Sequence, residues 1–216
     1  MIVTQVIALI ALAMCFVLLL THFVRIVCLG KPKDFSEASG SVAKGVVYAN
    51  TVAMMPNQKE SAYLHLPSYA LGMLFHIGTF SCFLLFILSF FDFFNNWLIN
   101  DACIHYLIPA FIAVTSVAGL SLFVKRLANK NLHALTNPDD YLSNAFTTLF
   151  QTATFCYLMM PGRGCAVNTY YILSALLFLY MPVGKLKHLL YYFSARYHLG
   201  FFYGRRNVWP QKKDRK

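Results

Sequence analysis

The chain has 216 residues, of which 58% are hydrophobic, 16% aromatic and only 12% charged. A soluble domain of this length carries about twice that share of charge, so the composition argues against a soluble fold and for an integral membrane protein. The formal net charge of +10 does not imply a nucleic-acid partner. The basic residues fall in loops and tail between long apolar runs, where they set orientation and attract membrane lipid headgroups.

Five apolar segments follow one another, each long enough to cross about 30 Å of hydrocarbon as a helix. They run roughly 2–24, 68–91, 105–124, 142–161 and 168–188, and an inner basic tail occupies 189–216. The first has no Lys or Arg ahead of its apolar run, and Arg25 follows it. That order is the reverse of a signal peptide, so the segment reads as a retained helix with its N-terminus outside. Loop 25–67 carries Arg25, Lys31, Lys33, Lys44 and Lys59, loop 125–141 carries Lys125, Arg126 and Lys130, and nine more basic residues lie from Lys185 onward. Only Arg163 falls on the opposite face. The positive-inside rule then gives one all-α, multi-pass, five-helix bundle with its N-terminus outside and its C-terminus inside.

The first inner loop is about 40 residues long and is expected to lie on the membrane surface or against a partner. The tail mixes aromatics with arginines, which suits an interfacial segment gripping headgroups or a docking surface for a soluble subunit. Six cysteines form no CxxC pair. Cys103 and Cys165 share the outer face, where loop geometry decides whether they can pair.

Two histidines sit in apolar surroundings, His76 in ALGMLFHIGTF and His188 in PVGKLKHLLYY. Ionisable side chains at membrane depth are expensive and point to function. His76 lies about eight residues into the second segment, roughly 12 Å deep at 1.5 Å per residue, and His188 closes the fifth from the same side. Facing one cavity, the two would make an axial pair for a haem iron. Gly72 and Gly78 flank His76 and would let a flat macrocycle approach the backbone. The alternative is structural: His76 bonding a neighbouring helix, and His188 snorkelling to the interface. Depth alone leaves both readings open. His105 has no histidine partner at its depth, while His22, His65, His133 and His198 lie at helix ends, in loops or in the tail. A further inner-side haem would have to use His65 with His22 or His198.

No paired carboxylates, nucleophile motif or phosphate-binding loop lies within the segments, so any chemistry must be borne by a cofactor or by a diffusing lipid-soluble substrate, and the chain is expected not to be catalytic alone. Helix interiors free of Lys, Arg, Asp and Glu, with no inverted repeat, count against a transporter.

In its order of features the chain resembles the five-helix membrane cytochrome b subunits of the respiratory nitrate reductase gamma family. That family includes the membrane subunits of heterodisulfide reductase and of the sulfite-reduction-associated complex. The pieces are LFHIG at 74–78, KRL at 125–127, DDYL at 139–142 and PVGKLKH at 182–188, followed by the basic aromatic tail. In two-haem members, helices two and five each supply two histidines. The resemblance implies that His76 and His188 hold the inner haem b and that Arg126 contacts its propionates. The outer pair should fall about ten residues after His76 and about eighteen before His188, where Phe86 and Tyr170 stand, so one haem is expected. It further implies electron transfer between menaquinone or ubiquinone and a cytoplasmic iron–sulfur subunit, in the cytoplasmic membrane. The quinone site beside the outer haem does not carry over, and Tyr170, Tyr171, Phe86 and Arg163 read there more readily as interface aromatics with a basic neighbour than as a pocket. The alternative function is a haem-free membrane anchor for an iron–sulfur enzyme.

Overall fold

A computed structural model of the chain describes residues 2–30, 34–91 and 101–210. Among them the secondary structure is helical throughout. The long helices are α1 (Val3–Cys28), α4 (Leu66–Leu88), α5 (Ala102–Ala128), α7 (Pro138–Met159), α8 (Gly164–Tyr180) and α9 (His188–Arg205). Shorter ones are α2 (Val42–Asn50), α3 (Glu60–Leu64) and α6 (Lys130–Ala134), with single 3-10 turns at Val52–Met54, Pro56–Gln58 and Lys185–Lys187. Three helices are long and apolar enough to cross a membrane: Val3–Cys28, Leu66–Leu88 and Ile104–Ala128. Gly164–Tyr180 and Lys185–Arg205 make a fourth only if counted together as one broken span.

Two of the five expected segments therefore differ from simple apolar rods. The fourth forms as α7, but Asp140, Asn144, Thr147, Gln151 and Thr154 are all buried along it. Their spacing of three or four residues places them on one helical face, so polarity is turned inward there. The fifth stops at Tyr180 instead of reaching 188. Pro182 has no N–H to continue the ladder, and the N–H groups of Val183 and Gly184 turn back to the Tyr180 carbonyl at 3.1 and 2.8 Å. A Cβ on Gly184 would collide with the Tyr180 ring, so this turn requires glycine. His188 consequently opens a new helix and does not close the old one.

The chain groups into two compact units, 1–16 with 67–186 and 17–66 with 187–216. In the first, Gly78 abuts Thr115 and Gly119 abuts the Phe75 ring and Thr148, which brings α4 and α7 against α5 at close range. Ser116 and Thr152 share a 2.7 Å hydrogen bond between α5 and α7. Thr4 and Gln5 at the start of α1 bond Asn168 and Tyr171 of α8 at 2.9 and 3.2 Å. The core is aromatic, with Phe86, Phe150, Tyr170, Tyr171 and Phe178 almost fully buried.

The second unit is built on α2 and α9. Ser41, Gly45 and Ala49 recur every four residues along α2 and its N-cap, and Gly200 and Gly204 do so on α9. Side chains added at Gly45, Gly200 or Gly204 would run into the facing backbone. This is the small-xxx-small packing that lets two helices touch through their main chains. The arginines lock it. Arg196 donates to the Ala49 carbonyl at the end of α2 (Nε 2.8 Å), Arg205 to the Ser36 carbonyl at 2.6 Å, and Arg206 forks Asp34 at 2.8 and 3.0 Å. Ser39 and Gly40 donate their N–H groups to the Arg205 carbonyl at 2.9 and 3.0 Å. Three tail arginines expected to face headgroups or a partner thus fasten the chain to itself.

Candidate functional site

His76 sits in the middle of α4, and the turn that bears it is held from two sides. The Phe75 carbonyl accepts from Thr79 at 2.8 Å and from the Gln151 side-chain amide of α7 at 3.0 Å. The same amide donates to the Thr79 hydroxyl at 2.8 Å. Gln151 is fully buried. Leaving such groups unpaired would cost about 1–3 kcal/mol, so this contact fixes the register of α4 on α7. Sequence reasoning missed Gln151. The only signal for it is a long polar amide in an otherwise membrane-like segment.

The imidazole itself is exposed and points away from that packed face. Its Nδ1 lies 2.7 Å from the Gly72 carbonyl one turn back. A carbonyl can only accept, so Nδ1 carries a proton, and in the neutral form of the ring the lone pair is then on Nε2. This is the tautomer an axial ligand needs, with the ring orientation set by a bond on its far side. A Cβ at Gly72 would meet nothing, so the backbone beside the ring is open. Gly78 does not share that role, being buried against Thr115. Of the two glycines flanking His76, only Gly72 has open space beside it.

Arg126 occupies the last turn of α5. Its Nη1 lies 3.6 Å from Asp140 Oδ1, and its side chain is 40% exposed. Lys185 shares the same carboxylate oxygen, and Asp140 also accepts from the Asn137 N–H at the start of α7 at 3.1 Å. The guanidinium end is exposed, the contact is long and Lys185 also answers Asp140, so Arg126 can turn to another acid at little cost. Beside it, the Tyr180 hydroxyl donates to Asp139 and pairs with Ser143 at 2.9 Å, closing α8 onto α7.

His188 is exposed at the start of α9. It belongs to the second unit, whereas His76 and Arg126 belong to the first, so the histidine pair is not a feature of either unit by itself. Among the described residues, no three His, Cys, Asp or Glu side chains converge on a metal-sized site. His22 is paired with Tyr191 at 3.5 Å and His133 with Tyr141 at 2.7 Å. Cys165 is exposed, while the Cys103 side chain and a pairing through it lie outside the described residues.

The two positions at which the resemblance would place an outer histidine pair hold buried rings. Phe86 is 1% exposed and Tyr170 is 0% exposed, and their ring centroids stand 6.1 Å apart. Phe178 packs edge-on to Phe86 at 4.9 Å, and Tyr157 stacks on Tyr170 at 4.6 Å. Tyr171 is fully buried and bonds Ser89 at 3.1 Å. These rings are packed core, neither a pocket nor interface anchors. Their rings pack closely on one another. No family model, curated protein or solved structure matches the chain.

Proposed function

We propose that the chain is a single-haem cytochrome b subunit anchored in the cytoplasmic membrane. In this reading five helices cross the bilayer, with the N-terminus outside and the C-terminus inside. His76 and His188 would hold one haem b, and Arg126 would answer a propionate. The haem, when bound, supplies reversible one-electron chemistry. Two imidazole ligands would fill the iron's coordination sphere and favour electron transfer over oxygen binding. Electrons pass between menaquinone or ubiquinone and a cytoplasmic iron–sulfur subunit docked on the inner face.

The observation that carries the reading is His76. It is a histidine at mid-span, bonded through Nδ1 to its own helix, with its ring exposed and open backbone beside it. A histidine serving only to tie helices together would spend its ring nitrogens on a neighbouring helix. The chain's own residues do three things here: Gly72 and Gln151 orient the ligand, Arg126 offers charge to an acid, and the aromatic core excludes a second macrocycle.

The test is substitution of each ligand. His76→Ala and His188→Ala are each expected to abolish haem incorporation in protein that still inserts and folds, while His105→Ala and His133→Ala keep full haem. Full haem in either of the first pair overturns the assignment.

A further inference from the structure

Within the unit formed by 1–16 and 67–186, one face of α7 carries Asp140, Asn144, Thr147, Gln151 and Thr154, all buried. They span about 21 Å along the axis at 1.5 Å per residue. Polar side chains turned inward over such a length are expensive in a membrane bundle and mark ion or proton routes. The ordinary alternative is helix-to-helix glue, in which each polar atom is spent on a neighbouring helix. The hydrogen bonds depart from that pattern. Thr115, Thr147, Thr154 and Ser174 are each at most 3% exposed, and each gives its hydroxyl proton to a carbonyl of its own helix at 2.7–2.9 Å. They keep only lone pairs for any other partner. The Gln151 Oε1 atom and the Tyr170 hydroxyl are buried with no hydrogen-bond partner.

This interior is rich in acceptors and short of donors. A molecule that brings its own protons satisfies it, and water is the smallest that does. Successive side chains on the α7 face rise about 4.5–6 Å, close to two hydrogen bonds laid end to end, so one water spans each step. Both ends of the array are polar as well. At one, Asp140 meets Arg126 at 3.6 Å and Lys185, beside Asp139 and Tyr180. Toward the other, Tyr170 faces Cys82, Thr154, Tyr157 and Tyr171. Tyr171 pairs with Ser89 at 3.1 Å and accepts from Gln5 at 3.2 Å, and Gln5 lies in the partly exposed first turn of α1. Beyond Asp140, α7 carries no Lys, Arg, Asp or Glu to trap or repel a charge. Hydroxyl groups and water take a proton on one side and release one on the other. A metal cation would have to move bodily past the stacked Phe150, Tyr157 and Tyr170 rings.

We propose that the buried face of α7 is a proton path through this unit, running from Asp140 to Tyr171 and Gln5 by way of water held at Gln151 and Tyr170. Each site takes a proton from one neighbour as it passes its own to the next, so the net change is one proton moved from end to end. No haem takes part, so the path stands or falls separately from the cytochrome reading.

The experiment reconstitutes the full-length protein into liposomes enclosing a pH-sensitive dye and drives proton entry with a potassium potential set by valinomycin. Proton flux well above that of protein-free liposomes is expected. Gln151→Leu, Thr154→Val and Tyr171→Phe should each cut it about fivefold or more. Thr152→Val, at an exposed hydroxyl of α7 that bonds Ser116, should leave it unchanged. Thr154→Val removes one hydroxyl at nearly constant volume and decides the matter if Gln151→Leu does not fold. Flux no greater than in empty liposomes overturns the proposal, as does flux indifferent to Gln151→Leu and Thr154→Val. An equal sodium flux through the same protein would make it a general leak and overturn it too.

Discussion

At the scale of single residues, the same side-chain type plays opposite parts in different surroundings. His76 uses one nitrogen locally and keeps the other, whereas His133 is paired through its ring with Tyr141. Arg126 holds a loose contact, while Arg206 is committed to Asp34. Asp34 carries a consequence that pH reveals. The Ser36 hydroxyl and N–H bond its carboxylate and Arg206 faces it, lowering its pKa from 3.8 to about 2. A carboxyl depressed in the folded state stabilises above its unfolded pKa, and that contribution disappears as pH falls through the folded value. The contact between the 34–41 segment and α9 should therefore loosen as pH drops from about 4 to about 2. Hydrogen exchange across residues 34–41 is the measurement. Asp34→Asn should remove the pH dependence, and an unchanged profile in that variant would assign it elsewhere. His76 was legible from sequence because an ionisable group in an apolar run is conspicuous. Gln151 was not, since its role lies in a partner 76 residues away.

At the scale of elements, the apolar runs marked α1, α4 and α5 well, because hydropathy and length are enough to specify an uninterrupted helix. They marked α7 by position but not by character. A helix that turns Asp140, Asn144, Thr147, Gln151 and Thr154 inward reads as weakly apolar while still packing in a core. The α8–α9 break was written in Pro182 and Gly184, but the apolar residues around them masked it. The α2–α9 pair was the largest omission. Its signal was the four-residue recurrence of Ser41, Gly45 and Ala49 and of Gly200 and Gly204, split across 150 residues of chain. That geometry makes a sharp prediction: Gly204→Leu forces side-chain atoms into the Gly45 backbone. Overpacking of this kind costs about 1–3 kcal/mol, so α2 amides should exchange at least fivefold faster. Gly72→Ala, at an open position, should leave those amides unchanged. Equal exchange in Gly204→Leu would mean that the helices do not meet there.

At the scale of the whole molecule, the proposed function pairs one candidate haem ligand with a region that is filled. The turn bearing His76 is supported by Gln151, Thr79 and Gly72, while the positions ten residues on and across the bundle are closed by Phe86, Tyr170 and their stacked neighbours. Two residue identities pointed to this region in sequence, but the filled volume is visible only in packing, because it depends on Phe150 and Tyr157 of α7 and Phe178 of α8 converging on Phe86 and Tyr170. Arg196, Arg205 and Arg206 of the tail are committed to contacts within the 17–66 and 187–216 unit. The most direct measurement is a reduced-minus-oxidised visible spectrum of the purified protein with pyridine haemochrome quantitation per chain. The account predicts one low-spin haem b per chain. No haem in folded protein made with haem supplied, or two haems per chain, would contradict it.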